Sequence, residues 1–183
     1  MPLTERRRGH VMATVLICGN VFDGAADTLR GRTEILIQDG WITAMAESVA
    51  RPSLAEVIDL TRLTIMPQPV LPGLLPGRGE SRELYLLVQS GIAAVRVLQA
   101  ATSSAAALMG RTDCGVLAPG KRANLIGVSG NPFEDISVVG KPGFVMVDGR
   151  IERRPSRRFM PGSVDQPERR SLDRLALRMQ DIG

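Results

Sequence analysis

The sequence predicts a mainly β fold with two helices in the middle of the chain. Short apolar runs alternate with turn-forming residues over most of its length, which is typical of strands. Two of the turns, Asp39-Gly40 and Asp148-Gly149, join apolar runs, and Asp-Gly favours a tight hairpin because both central residues need positive φ. Between the hairpins lies an Ala- and Leu-rich stretch whose apolar residues recur at helical spacing.

Composition limits the kind of protein. With 183 residues the chain fits one or two domains, and with only 3% aromatic residues its core must be aliphatic. The net charge of +4 comes mostly from arginines near the two ends. No apolar run is long enough to span a membrane, and Val11–Cys18 is a poor signal-peptide core, so we expect a cytoplasmic protein without membrane contact. Cys18 and Cys114 are expected to be reduced thiols that act as small apolar residues.

The first part of the chain reads as a basic disordered arm followed by strands. The arm covers residues 1–12, and the first strand-like run, Val15–Cys18, is followed by a predicted turn at Gly19-Asn20. The hairpin around Asp39-Gly40 spans residues 35–43. Further strands are predicted at Glu56–Leu60 and Leu63–Met66.

The middle of the chain differs in composition. Residues 67–80 are rich in proline and glycine and are predicted to be a linker, because proline lacks an N–H donor and glycine resists ordering. Two helices follow, Ser81–Ser90 and Ala93–Met109, each ended by a glycine. The longer helix is expected to bury one face, formed by Val95, Leu98, Ala101, Ala105 and Leu108.

The last part returns to strands and ends in a basic tail. A strand is predicted at Ala123–Val128, and the second hairpin spans residues 144–151. Residues 152–183 are rich in arginine, and a short amphipathic helix is predicted near the end of the chain, with Leu172, Leu175, Ala176 and Met179 on one face.

One motif invites a nucleotide-binding interpretation. Residues 115–121 fit the first seven positions of a phosphate-binding loop, from Gly115 to Lys121. Arg122 stands where a Ser or Thr must reach magnesium, Pro119 removes a backbone donor, and the following residues are strand-like rather than helical. A plain turn is therefore predicted here.

No catalytic, cofactor-binding or metal-binding residues are predicted. The only histidine, His10, lies in the N-terminal arm; Asp23, Asp39 and Asp148 occupy turns; and Asp59, Asp113 and Asp135 have no cluster of His and Cys near them in sequence that would suggest a metal site. Ser103 and Ser104 lack the surroundings of a hydrolase nucleophile. The terminal arginines lack interleaved aromatic residues, so no specific nucleic-acid binding is expected.

Two blocks of sequence together carry a family resemblance. The first begins at Leu16–Gly24 and continues through Ile35–Ile42 and Val57–Leu60 to Thr64–Pro67. The second begins at Arg82–Leu84 and continues through Gln99–Ser103 and Gly115–Leu125 to Val145–Ile151. In order and number these segments resemble the metal-dependent amidohydrolase superfamily, especially its imidazolonepropionase-like and prolidase-like members.

The resemblance implies a composite β-sandwich built from both ends of the chain, at 13–66 and 111–151, with a helical pair at 81–110 left from the end of a (β/α)₈ barrel. In the family the barrel holds one or two divalent metals, usually zinc, and its His-x-His follows directly on the Met-Pro that ends the first block. Here Gln68-Pro69-Val70 follows Met66-Pro67. The resemblance therefore implies a protein that has lost most of its barrel, with no cofactor of its own.

Several functions remain open at this point. The chain is expected to be inactive alone, although the family that it resembles hydrolyses C–N bonds with a metal-bound hydroxide. It could instead be a binding module that pairs with itself or with a full-length relative, one part of a split hydrolase completed in trans, or a chain with no selected function.

Overall fold

The computed structural model describes residues 13–70 and 81–155. The predictions made for residues 1–12, for 71–80 of the linker and for 156–183 of the tail lie outside this range. The described chain forms seven strands: β1 (Ala13–Val21), β2 (Thr33–Gln38), β3 (Trp41–Ala46), β4 (Glu56–Pro67), β5 (Leu125–Ser129), β6 (Phe144–Val147) and β7 (Arg150–Arg153).

All seven strands belong to one sheet, in the order β3-β2-β1-β4-β5-β6-β7. β1 runs parallel to β4, and every other neighbouring pair is antiparallel. The two parts of the chain meet in the centre, where β4 pairs with β1 on one side and with β5 on the other. The predicted mainly β, composite fold is confirmed, and its layers are parts of a single hydrogen-bonded sheet.

The sheet bends so that one face encloses the main core. Side chains from β1 to β6 meet in this cluster, including Leu16, Ile35, Leu60, Leu125 and Phe144. The two Asp-Gly turns also meet: a Cβ built on Gly149 would lie 2.6 Å from the Cα of Gly40. The backbone of Ala123 joins them, since its N–H donates to the Gly40 carbonyl (2.8 Å) and its carbonyl accepts from the Gly149 N–H (3.1 Å).

Both predicted hairpins are confirmed with the backbone expected of their turns. Asp39 and Gly40 have φ of 50° and 84°, and Asp148 and Gly149 have 48° and 74°. These values suit the primed turns that match the twist of paired strands.

Two strand predictions were wrong in their boundaries. Gly19-Asn20 lies inside β1 rather than in a turn. At this point three residues of β4, 61–63, stand opposite Gly19, and the Thr61 carbonyl lies where a Cβ of residue 19 would be. β4 is one strand rather than two. Its inward-facing residues change from Ile58 and Leu60 to Leu63 and Ile65, because β4 bulges at residues 61–63 and its side-chain alternation changes there.

The helical region contains α1 (Ser81–Gln89), α2 (Ala94–Gln99) and α3 (Ala105–Leu108), with a π-helical turn at Ala100–Ser104. The π turn corrects the predicted buried face. Pairs of buried residues repeat every four positions, at Val97 and Leu98, at Ala101 and Thr102, and at Ala105 and Ala106. Leu108, expected on the buried face, is 89% exposed because the wider turn changes the phase of the helix.

The helices cover the other face of the sheet. Leu84 of α1 and Leu98 of α2 pack with Ile126 of β5 and with Ile136 and Val139 of a short 3₁₀ helix, Ile136–Gly140. Within the described residues, no helix has both the length and the apolar character needed to cross a membrane.

Candidate functional site

The chain leaves β4 at a point where strand, helix and loop meet. The Gln68 N–H donates to the carbonyl of Asn124, at 3.1 Å, and the Val70 N–H donates to the carbonyl of Ala101, at 2.7 Å. Ala101 lies in the π turn, where carbonyls are released from the usual helical pairing. Both bonds hold residues 68–70 against the loop before β5 and the π turn. The family resemblance places the first metal ligands at this position.

A polar cleft of about 460 Å³ opens beside this segment. Its walls come from residues 68–70, from the loop before β5 and from the turn between β6 and β7. The loop contributes Arg111, Asp113, Cys114, Arg122 and Asn124, and the turn contributes Val147 and Asp148.

Arg122 is the centre of the charged network in the cleft. Its Nε lies 3.2 Å from Asp113 Oδ2, and its Nη1 lies 3.1 Å from Asp148 Oδ1. Its guanidinium also lies 4.8 Å from the centre of the Trp41 ring, within the range of a cation–π contact. Arg111 Nε lies 3.4 Å from the other oxygen of Asp113.

The pairing fixes the charge state of these groups. The hydrogen bond from Arg111 is the largest influence holding the pKa of Asp113 below its usual range, and Arg122 adds to it. The same bond raises the pKa of Arg111. Two arginines face two aspartates in the described part of the cleft, so the formal charges of these mutually bonded side chains cancel.

Sequence reasoning missed this network. The sequence predicts a turn for Asp148 and no metal-binding partners for Asp113. For Arg122 it indicates only a mismatch to the phosphate-binding motif. The structure places Asp148 in the predicted turn, and Arg122 bonds to both Asp148 and Asp113. The relevant signal was Arg111-x-Asp113, but nothing local in sequence indicated that Arg122 or Asp148 would lie beside it.

The loop from Gly115 to Lys121 is a turn, as predicted. Gly115 and Gly120 have positive φ, of 81° and 84°. The Lys121 ammonium donates to the carbonyl of Thr112, at 2.6 Å, and β5 rather than a helix follows. This geometry provides no cradle of backbone N–H groups for a phosphate.

Neither cysteine has the character of a nucleophile. Both are free and buried. Burial raises the pKa of the Cys114 thiol, more than Arg111 lowers it, and burial also raises the pKa of Cys18, with a further contribution from Glu34. Both side chains are therefore neutral thiols at neutral pH.

The serine and aspartate side chains outside the cleft bond to nearby backbone. Ser103 Oγ donates to the carbonyl of Gly24, at 2.7 Å. Asp23 Oδ1 accepts from the N–H groups of Ala25 and Ala26, at 2.9 and 2.8 Å, as expected of a turn aspartate. His10 lies outside the described residues.

The described residues do not fit the metal centre that the family resemblance implies. Zinc sites use three or four His, Cys or carboxylate ligands. Over residues 13–70 and 81–155 there is no group of three or more such side chains placed to hold a metal. In the cleft, the carboxylates of Asp113 and Asp148 are bonded to Arg122, whose positive charge repels a cation. The expectation that the whole chain lacks catalytic, cofactor and metal residues stays a prediction.

Comparison with known proteins gives both a family match and a fold match. Residues 79–151 match the amidohydrolase family model. A search of the curated proteins found no match to this chain.

Similar solved structures include two enzymes described as dipeptidases or prolidases. A Xaa-Pro dipeptidase with methionine in its active site is 11% identical, with a TM-score of 0.67, and the alignment covers 77% of this chain and 100% of that chain. A putative prolidase from Bifidobacterium longum is 12% identical, with a TM-score of 0.68, covering 80% of this chain and 96% of that chain. At such identities the likeness shows the fold. Together with the family match, it confirms the predicted resemblance to the amidohydrolase superfamily.

Proposed function

We propose, from the amidohydrolase match of residues 79–151 and the composite β fold, that this chain is an amidohydrolase domain without its catalytic barrel. By itself it does not hydrolyse amide bonds. We place it in the cytoplasm, a location favoured by its two free thiols.

The connection between β4 and α1 carries this proposal. A (β/α)₈ barrel takes about 200 residues or more. β4 ends at Pro67 and α1 begins at Ser81, so about a dozen residues occupy the place of a barrel. β4 pairs directly with β5, so the two parts of the sheet are joined on either side of this short connection.

The chemistry of the cleft supports the same conclusion. A metal-dependent amidohydrolase needs an ion that lowers the pKa of bound water, and a base that moves the proton. The described carboxylates of the cleft, Asp113 and Asp148, are engaged by arginines, so neither is a free base. The cleft is therefore a polar surface whose charged side chains bind one another.

Metal content and hydrolysis should be measured on the purified full chain. We expect much less than one zinc, manganese or cobalt ion per chain, and no cleavage of Xaa-Pro dipeptides or of N-acyl amino acids above buffer. As a control, Asp113→Asn should leave any trace hydrolysis unchanged, because such activity would come from a contaminant. Stoichiometric metal, or hydrolysis that Asp113→Asn abolishes, would overturn the proposal.

A second candidate is one part of a split hydrolase, and the turn at the end of α3 favours it. Leu108 and Met109 are 89% and 44% exposed, and only Gly110 separates them from Arg111 of the cleft. The chain that follows β4 borders the same cleft. Large apolar side chains beside the place of the missing barrel suit a barrel supplied by a second polypeptide.

This candidate predicts a (β/α)₈ protein with His-x-His encoded near this gene. Co-expression should give a stable complex with the present chain. Leu108→Asp should weaken the complex tenfold or more, by about 1.4 kcal/mol for each factor of ten. Leu54→Asp, at a residue 71% exposed before β4, is the matched control and should have no effect. Equal effects of the two substitutions would count against the split-enzyme hypothesis.

A further inference from the structure

Helix α1 exposes more apolar surface than a short surface helix usually does. Leu84 is buried against the sheet, but Tyr85, Leu86 and Leu87 are between 43% and 55% exposed, and Ile92 just beyond the helix is 43% exposed. Single exposed apolar residues need no explanation, but a run of four large ones within eight positions indicates a contact surface. We refer to these four side chains as the α1 patch.

The described chain ends next to the structure that supports this patch. β7 is the last strand, and the Arg153 guanidinium donates to the carbonyl of Pro142, at 3.0 Å. Pro142 follows the 3₁₀ helix Ile136–Gly140, against which α1 packs. The residues after Pro155 therefore start just beyond the Arg153 contact with Pro142, and the preceding Arg154 is paired with Glu56 at the start of β4.

The sequence beyond that point contains an apolar segment that suits the patch. Leu172, Leu175, Ala176 and Met179 recur at helical spacing, whereas Arg174 and Arg178 fall on the opposite side of a helical wheel. The sixteen residues 156–171 can span up to roughly 50 Å when extended. That exceeds the radius of gyration of a domain of this size, about 15 Å, so the segment can reach the patch.

We infer that residues 172–179 cover the α1 patch of their own molecule. Attachment through a short linker gives the segment an effective concentration in the millimolar range, which favours this contact over the same contact between separate molecules. The contact would remove the apolar side chains of both partners from water, and it would leave the arginines of the segment in solvent. The C-terminal segment is thus part of the folded domain rather than an unused extension.

Hydrogen exchange of the peptide covering residues 82–92 tests the contact in the full chain. In the double variant Leu172→Gln with Leu175→Gln, we expect these amides to exchange about fivefold faster or more, because opening of α1 no longer has to displace the segment. The matched control, Arg174→Gln with Arg178→Gln, changes two residues of the same segment outside its apolar side and should exchange like the wild type.

A substitution in the patch provides the reciprocal test. Leu86→Gln should raise exchange and protease cleavage within residues 172–179, while Leu54→Gln at an exposed site elsewhere should not. Unchanged exchange in the Leu172, Leu175 variant would overturn the inference. So would protection of α1 that disappears on dilution together with a loss of dimer by light scattering, since the segment would then come from a second copy.

Discussion

Gly115 packs the loop before β5 against the π turn, and its replacement by alanine tests how that packing stabilises the domain. A Cβ at this position would lie 2.6 Å from the Cβ of Ala106 and 2.7 Å from the carbonyl oxygen of Thr102. Both neighbours are held on a helix and cannot rotate away. The backbone φ of 81° adds strain for any residue with a side chain.

The expected cost has two parts. A non-glycine residue in left-handed conformation costs about 1–2 kcal/mol, and overpacking a tightly packed site costs typically about 1–3 kcal/mol. Gly115→Ala should therefore lower the free energy of unfolding by roughly 2–5 kcal/mol. Gly120 is the matched control: its φ is 84°, and a Cβ there would meet nothing within 4 Å. Gly120→Ala should cost only the backbone part, about 1–2 kcal/mol.

Urea unfolding followed by far-UV circular dichroism and by Trp41 fluorescence measures both variants. The difference between them isolates the steric contact, because the backbone strain is nearly the same. Equal losses for Gly115→Ala and Gly120→Ala would refute the reasoning, since the loop would then not be packed against the π turn as described.

Four further predictions concern the core and the charged groups. Leu98→Ala should cost about 2–5 kcal/mol in urea unfolding, because the side chain is fully buried and leaves a cavity. Arg51→Ala should cost about 1–2 kcal/mol at pH 7: it leaves the buried Glu34 carboxylate with one bonding partner fewer, but Arg51 is itself 46% exposed. The backbone N–H of Val49 and then Arg51 lower the pKa of Glu34, so its stabilisation is present above the ordinary value of 4.5 and is lost as the pH falls; Glu34→Gln should show a smaller loss of stability between about pH 5 and pH 3. Arg122→Gln should change Trp41 emission and cost about 0.5–1 kcal/mol, and unchanged emission would contradict the cation–π contact.

The hairpins were predictable from sequence because their determinants are local. Asp39-Gly40 and Asp148-Gly149 need only their own backbone preferences and the strands beside them. The bulge of β4 opposite Gly19 was not predictable in the same way. A glycine beside an asparagine favours a turn, and only the close approach of the Thr61 carbonyl, on a strand far along the chain, explains why Gly19 lies in a strand instead.

The π turn illustrates a different limit. Its helix follows apolar spacing well enough that its existence and approximate ends were predicted, but the extra residue in the turn changes which side of the last turn is buried. Thr102 Oγ1 donates to the carbonyl of Leu98, at 2.7 Å, and the Val70 N–H donates to the carbonyl of Ala101. These partners come from the tertiary structure, so helical periodicity alone placed Leu108 on the wrong side.

The cleft shows why the two parts of the sheet depend on each other. Arg122 precedes β5, yet it reaches Trp41 at the start of β3 and Asp148 in the last hairpin. The backbone of Ala123 joins both hairpin turns, which lie over a hundred residues apart in sequence. Each contact costs loop-closure entropy that local structure alone does not recover, and the pairing of β4 with β1 and β5 brings the two turns together. The fold of the sheet therefore depends on a connection after β4 that leaves β4 and β5 free to pair.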